Sequence, residues 1–574
     1  MNLYFIFIVL FSTSIQHSDS EIISTSYGKL KGKQIGEYHL FKHVPFAKPP
    51  VGTLRFQKPE NAEKWKGVRD AREYGPACMS NSTISKSPQK WVDEDCLHVN
   101  IFTSNKCLKL KNCAVVVYLH GGDLLFDSAV MFNDSSILET FPKNDVILMI
   151  PGFRLGIFSH FAVEDQSIAP NNIGLYDILK SLEFTKSEIH HFGGDNKKVT
   201  LFGHSYGGTI VTMLTFSTEI NRDLSLFQKA ISMSSHQYFE TLELHIRKTQ
   251  KFSDLAGCLP SSNAEMTQKE RDRTTMNCLQ NKSAIELLRV QRSLEETGYP
   301  TLGSVIMRGP LFPDVKPSEF LDSPKMIPML TGCSRIEFDH EPELLPLSSV
   351  FTLENPLECD ARYRKDVADG TFQGNHTDKT QAILVPTKQR VNKLLEKGIP
   401  TYLYEYMYPK HAKHSDDLYY LMGVHPFEED ENEVHLKKIY QKMVTNFAKF
   451  GNPGNNFERA DLKTNSYYDL NWNETTGQRP KMNKDFEKET VDYWLSEMVE
   501  YDRSITEEKK KISPKIRSFN LKPNNVNLDQ RSHFVLVLFI LSVIFMAGFL
   551  IGHYCTREQD MYIQLDGNNF EYRK

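Results

Sequence analysis

One serine, Ser205, stands in the stretch VTLFGHSYGGTIV (residues 199–211). An apolar run there ends in Gly203-His204-Ser205-Tyr206-Gly207, and a second apolar run follows. A serine hydroxyl is a weak nucleophile at neutral pH. Acyl chemistry at such a residue needs a base to take its proton, an acid to orient that base, and donors for the oxyanion that develops on the attacked carbonyl. Glycines two residues to either side permit the sharp turn by which a strand feeds a helix packed on its own sheet. The residue between them then lifts its Oγ above the sheet, beside the free N–H groups and favourable dipole of the helix start. The five-residue pattern is weak evidence alone and gains weight only in a strand–turn–helix setting.

That setting is legible. Residues 114–120 (AVVVYLH), 145–150 (DVILMI) and the VTLFG run read as short buried parallel strands. Between them, Leu175, Ile178, Leu182 and Ile189 recur at helical spacing. Alternation of strand and helix predicts an α/β fold, a large, mostly parallel central sheet with helices on both faces. It runs without a repeat or low-complexity break over residues 21–502.

The 68 basic and 72 acidic residues of the 574-residue chain leave a formal charge of −4. This balance, with no basic run interleaved with aromatics, excludes nucleic acid as an expected partner. No metal-ligand spacing and no glycine-rich phosphate loop stands out, so no metal and no cofactor is expected.

The ends of the chain differ from the body. Residues 1–20 carry an apolar block followed by small and polar residues, Ser18 and Ser20 among them, as in a secretory signal peptide, although no Lys or Arg precedes the block. Residues 534–552 (FVLVLFILSVIFMAGFLIG) contain no charge and span about 28 Å as a helix, close to a bilayer's hydrocarbon core. Residues 503–533 read as a solvated stalk and 553–574 as a short cytoplasmic tail. The expectation is a single-pass type I protein of the secretory pathway, at the plasma membrane or an endosomal or lysosome-like membrane. Cys555 is placed for palmitoylation, and Tyr562-Ile563-Gln564-Leu565 has the form of a tyrosine-based sorting signal. Six of the nine cysteines form short-range couples, predicting disulfides Cys78–Cys96, Cys107–Cys113 and Cys258–Cys278. Sequons begin at Asn81, Asn133, Asn281, Asn375 and Asn473, all in the body, as a glycosylated ectodomain requires.

Several segments resemble, in order, the signatures of the type-B carboxylesterase and cholinesterase family of α/β-hydrolases. They are KHVPFAKPPVGTLRFQKPE, DEDCLHVNIFTS, YLHGGD, FRLGIFSHF, NNIGLYD, HHFGGDNKKVTLFGHSYGG and MVTNFAKFGNPG, covering about residues 24–500. The resemblance implies a nucleophile elbow at Ser205, with acid and histidine downstream. The family's acid follows a buried strand in a G-x-N-x-x-E-G segment. Here Gly332 is followed by Glu337, with Ser334 and Phe338 in place of the Asn and the last Gly. The family's histidine segment is matched at His414, followed by Asp416, Asp417, Leu418, Tyr420 and Gly423. His411 and His425 flank it, but only His414 has the correct downstream register. The Glu337-to-His414 interval is about 30 residues shorter than is usual in the family, which implies trimmed helices around the site. Two of the expected disulfides, Cys78–Cys96 and Cys258–Cys278, fall where the family's would.

The oxyanion region departs from the family. Its run of three glycines is here Gly121-Gly122-Asp123, so the expected donors are the N–H groups of Gly122, Asp123 and Tyr206, with a carboxylate on the middle one. Asp127 replaces another family glycine. His204 and Tyr206 stand where Glu and Ala are usual, and Tyr206 is expected to line the pocket. An ion pair between Asp123 and His204 would neutralise the carboxylate. The resulting expectation is a membrane-anchored serine hydrolase that cleaves carboxylic esters of small molecules through an acyl-enzyme. Two alternatives share the sequence: an acyltransferase that passes the same acyl group to an alcohol or amine, and a catalytically impaired adhesion or receptor protein. A homo-oligomer is compatible with all three. A choline ester is not supported, because Trp91 lies only five residues before Cys96.

Overall fold

A computed structural model describes residues 17–80, 91–261, 265–298, 303–312, 316–454 and 456–517. Twelve strands carry the architecture: β1 (His17–Ser24), β2 (Lys29–Ile35), β3 (Tyr38–Pro45), β4 (His98–Ser104), β5 (Cys113–Leu119), β6 (Val146–Pro151), β7 (Gly194–His204), β8 (Lys229–Met233), β9 (Met329–Ser334), β10 (Thr401–Tyr406), β11 (Tyr467–Leu470) and β12 (Lys481–Asn483). They lie in the order β1-β2-β3-β4-β6-β5-β7-β8-β9-β10-β11-β12, with Val68–Asp70 paired to β2 beside this path. Every neighbouring pair from β6 to β11 is parallel, whereas the strands toward either edge pair antiparallel. The expected mostly parallel α/β sheet is therefore present.

Alternation within a strand sorts side chains to opposite faces. In β5, Val115, Val117 and Leu119 enter one core, with Leu175, Ile178 and Leu182 of helix α1 (Ile173–Glu188) and Ile210, Val211 and Leu214 of helix α2 (Tyr206–Phe216). Val116 and Tyr118 of the same strand enter the other core. Tyr440, Val444 and Phe447 of helix α3 (Glu431–Phe450) join them there. Because both faces of the parallel strands are covered, these strands read as unbroken apolar runs instead of alternating ones.

Two ties set the positions of loops over the strand ends. After β6, the Arg154 guanidinium grips Asp177 of α1 through two hydrogen bonds of 2.8 and 2.7 Å, and the Arg154 N–H donates to the same carboxylate. Both side chains are buried. After β9, the turn 335–341 is held by His376, whose Nδ1 lies 2.9 Å from Asp339 and whose Nε2 lies 3.0 Å from Glu487. Burial disfavours the His376 cation, but the hydrogen bonds and charges of these two carboxylates outweigh it and raise its pKa to about 9. A histidine titrating near 6.5 when unfolded then contributes its full stabilisation below that pH and loses it as pH rises toward 9. The expected size is about 3 kcal/mol. Urea unfolding at pH 6 and pH 9.5 should show this loss in the wild type and a flatter dependence in His376→Gln; equal slopes in the two proteins would remove the assignment.

All three expected disulfides are formed: Cys78–Cys96, Cys107–Cys113 and Cys258–Cys278. Cys333 and Cys359 are free and buried. Among the sequon asparagines, Asn133, Asn281 and Asn375 are exposed and Asn473 is half-buried, while Asn81 lies outside the described residues.

The expected boundaries differ from the observed elements at both ends. Strand β1 already includes His17 to Ser20, because the outer edge of β2 offers pairing from Ile35 back to Lys33. Ser20, expected at the end of the leader, is buried, with its Oγ 2.8 Å from His39 Nδ1. At the other end the body extends to Thr506. Asp502 accepts from the N–H groups of Glu354 and Asn355, and the helix Met498–Arg517 continues into the segment expected as stalk. Among the described residues no helix is long and apolar enough to cross a membrane. The span expected at 534–552, Cys555 and the 562–565 motif lie outside them.

Candidate active site

Strand β7 ends at His204 and α2 begins at Tyr206, leaving Ser205 alone at the junction with φ 55° and ψ −128°. Positive φ is unfavourable for serine, and such strain persists only where the surroundings enforce it. Here they do. A Cβ on Gly203 would meet the Gly207 carbonyl oxygen at 2.1 Å, and one on Gly207 would meet that of Leu119 at 2.2 Å. The two glycines are thus required by close chain approach, and the Ser205 N–H is fixed by the Met233 carbonyl at 2.9 Å.

The partners arrive from the ends of neighbouring strands. Glu337 lies in the turn after β9, fully buried, with one carboxylate oxygen accepting the Ser334 N–H at 2.8 Å. Its other oxygen lies 2.6 Å from Nδ1 of His414, whose Nε2 lies 2.9 Å from the Ser205 Oγ. His414 comes from the loop after β10, and its own N–H donates to the Glu337 carbonyl. The three residues expected in the order Ser, Glu, His are therefore in one hydrogen-bonded line. Of the flanking histidines, His411 instead bonds Glu433 of α3 and stacks on Phe427, and His425 is exposed. Phe338 stacks on the His414 ring at 4.4 Å, covering it where a glycine would leave it bare. Burial disfavours the His414 cation, but the charge and hydrogen bond of Glu337, then the charges of Asp123 and Asp417, raise its pKa above the ordinary histidine value. This arrangement can hold a proton taken from Ser205.

Beneath the triad, the Asp417 carboxyl is pushed up to about 7, first by burial and next by the charge of Glu337. Tyr440 donates to it at 2.5 Å.

The loop after β5 runs close to the serine: a Cβ on Gly121 would lie 2.9 Å from the Ser205 Cβ. Asp123, Leu124 and Asp127 all take left-handed φ, winding the loop tightly. The Leu124 carbonyl accepts from Gly156 at 2.7 Å, so the loop clamped by Arg154 and Asp177 supports this one. The N–H groups of Gly122 and Asp123 are claimed by no other backbone group among the described residues, and Tyr206 opens α2, where an N–H has no intrahelical acceptor. All three remain available as oxyanion donors.

Two expectations about the altered residues are corrected. Asp123 does not pair with His204; its neighbour is His236, with Nε2 3.7 Å from Oδ1, an ion-pair contact beyond hydrogen-bond range. His204 is buried with Nε2 unpartnered. Burial, with the charges of His414 and His425, drives its pKa well below the ordinary value, so it is neutral and cannot balance a carboxylate. Nor does Tyr206 line the pocket. It is buried in the core, and its hydroxyl accepts the Val305 N–H at 2.9 Å. The tyrosine ties the 303–306 segment to the elbow, and its ring meets that of His236 at 5.0 Å.

His236 had no local sequence signal. It sits just past the end of β8, and only the parallel pairing of β8 with β7 brings it beside the elbow.

The Asp123 side chain is 57% exposed. Burial of its surroundings would raise its pKa, but His236, then His414 and Lys379, hold it below the usual carboxylate value. Asp127 is pushed up to about 6 by burial and by the charge of Asp123.

A mostly parallel sheet with a strand–elbow–helix junction, at which a serine is hydrogen-bonded to a His–Glu pair, is the architecture of an α/β-hydrolase. The "Carboxylesterase family" profile matches residues 19–347 and 362–494, and the chain belongs to that family. It is a carboxylic ester hydrolase by this membership. It is 29% identical over 524 residues to liver carboxylesterase 1F of Rattus norvegicus, covering 79% of this chain and 90% of that protein. A medium-chain fatty acyl-CoA hydrolase precursor of Anas platyrhynchos is 29% identical over 490 residues, covering 76% and 86%. The fold is shared with a juvenile hormone esterase from Manduca sexta, with a TM-score of 0.70 at 21% identity over 83% of this chain and 99% of that one. A PNB esterase aligns with a TM-score of 0.65 at 24% identity, over 82% and 98%.

Proposed function

We propose that Ser205 is the nucleophile of this ester hydrolase, with His414 as general base and then general acid and Glu337 as its orienting carboxylate. The observation that carries this reading is the line Ser205–His414–Glu337 at 2.9 and 2.6 Å. His414 accepts the serine proton as Oγ attacks the ester carbonyl, and the N–H groups of Gly122, Asp123 and Tyr206 receive the oxyanion. The proton then passes to the leaving alcohol, and water attacks the acyl-enzyme by the same route. An active-site phosphonate probe should label the wild type and not Ser205→Ala; absence of labelling in a folded wild type that admits the probe would overturn the assignment.

The ionised, exposed Asp123 carboxylate beside this serine supports a second outcome of the same acyl-enzyme. A bound hydroxyl or amine acceptor, held by the carboxylate, would give its proton to His414 and take the acyl group, and His414 would return that proton to the freed Ser205 Oγ. The ratio of transferred to hydrolysed product with added alcohol separates the two.

We also place the chain in the secretory pathway, anchored by residues 534–552. Three disulfides in the body favour an oxidising compartment. The expressed chain should stay with membranes through alkaline carbonate and be released by detergent; release by carbonate alone would exclude a span.

A further inference from the structure

We propose that Asp123 selects esters bearing an ammonium group a few bonds from the carbonyl carbon. This deepens the reading of Ser205 as nucleophile and rests on it. An aspartate carboxylate lies within about 4 Å of its own backbone nitrogen by covalent geometry alone. With the Asp123 N–H as an oxyanion donor, its carboxylate lies within a few ångströms of the bound carbonyl, and its charge also acts on His414. The surroundings compensate that charge only in part. No Lys or Arg is within 4.0 Å among the described residues, and His236 at 3.7 Å is too far to hydrogen-bond it. Lys379, which also acts on Asp123 electrostatically, is held by Glu341 at 2.9 Å and Glu343 at 2.5 Å. Asp127 on the same loop adds a second acidic group. Neutral His204 contributes no charge.

For a neutral ester, this carboxylate opposes the growing oxyanion without return. A substrate ammonium in the same space pairs with the carboxylate and also lies near the oxyanion, so its attraction strengthens as the transition state forms. Such binding raises turnover as well as affinity. The exposed face of Asp123 provides the access an ammonium group needs, and its tie to His236 is weak enough to be exchanged.

The test uses the full chain in detergent at pH 7 with two isosteric substrates, the 4-nitrophenyl esters of 3-aminopropanoate and butyrate. Their kcat/KM ratio in the wild type, divided by that in Asp123→Asn, cancels intrinsic reactivity. The expected quotient is about ten, one decade per 1.4 kcal/mol of charge interaction. Asp123→Gly should instead raise kcat/KM for butyrate. In the wild type, rising salt should depress the ammonium ester and, by screening the repulsion, slightly raise butyrate, a measurement that needs no variant to fold. A quotient of one, or equal salt dependence of both esters, overturns the proposal. Turnover surviving in Ser205→Ala would overturn the underlying nucleophile assignment instead, whatever the quotient.

Discussion

Ser205→Ala is expected to lose about four to six orders of magnitude in kcat toward simple esters while binding them and folding normally. The size follows from how the three groups depend on one another. Without the Oγ there is no acyl-enzyme, and His414, still 2.6 Å from Glu337, has no proton to accept from the protein. His414→Ala should cost a similar factor, and the double variant little more than either single one, because residues that act as a unit are not additive. Single-turnover assays on the full chain separate the effect from misfolding: an unfolded variant loses its cooperative denaturant transition, whereas a folded one keeps it and only the chemistry disappears. Retention of more than about a hundredth of wild-type turnover would place the nucleophile elsewhere.

Asp177→Ala is expected to destabilise the body by about 3–5 kcal/mol, the largest stability effect of any single side chain considered, because it leaves the buried Arg154 guanidinium without its carboxylate. The cost should appear in activity before the protein unfolds. Arg154 fixes the loop from which Gly156 holds Leu124, and Leu124 follows Asp123 in the oxyanion loop. Denaturant midpoints measure the first effect, and kcat/KM well below the midpoint measures the second. Replacing both partners by apolar residues of similar volume should recover most of the stability, because a buried pair contributes little net energy while a broken one leaves a bare charge. A midpoint unchanged in Asp177→Ala would show that water reaches the site and solvates the guanidinium.

Much of this protein is legible in its sequence. The strands at 114–120 and 145–150 and the helix through Leu175, Ile178 and Leu182 were readable because burial on both faces leaves unbroken apolar runs and burial on one face leaves helical spacing. The disulfides were readable because their cysteines are close in the chain. The elbow was readable because its two glycines are required by local chain approach. Glu337 and His414 were reached through resemblance, since a lone Glu and one histidine among three carry no local mark of their roles.

The altered residues are less legible. His204 and Tyr206 flank Ser205 in the chain, which suggested side chains turned toward the substrate. In the structure both point into the body, because the tight turn exposes only the residue at its apex. Asp123 was visible as an intruder on a glycine-rich loop, but its neighbour, His236, is 113 positions away and reaches it through the parallel pairing of β8 beside β7. Residue types, their order and the local turn were thus determined by the sequence alone. The side chains each carboxylate faces were decided by tertiary structure. Charge interactions act through space over several ångströms, and a parallel sheet brings together strand ends that its crossover helices keep far apart along the chain.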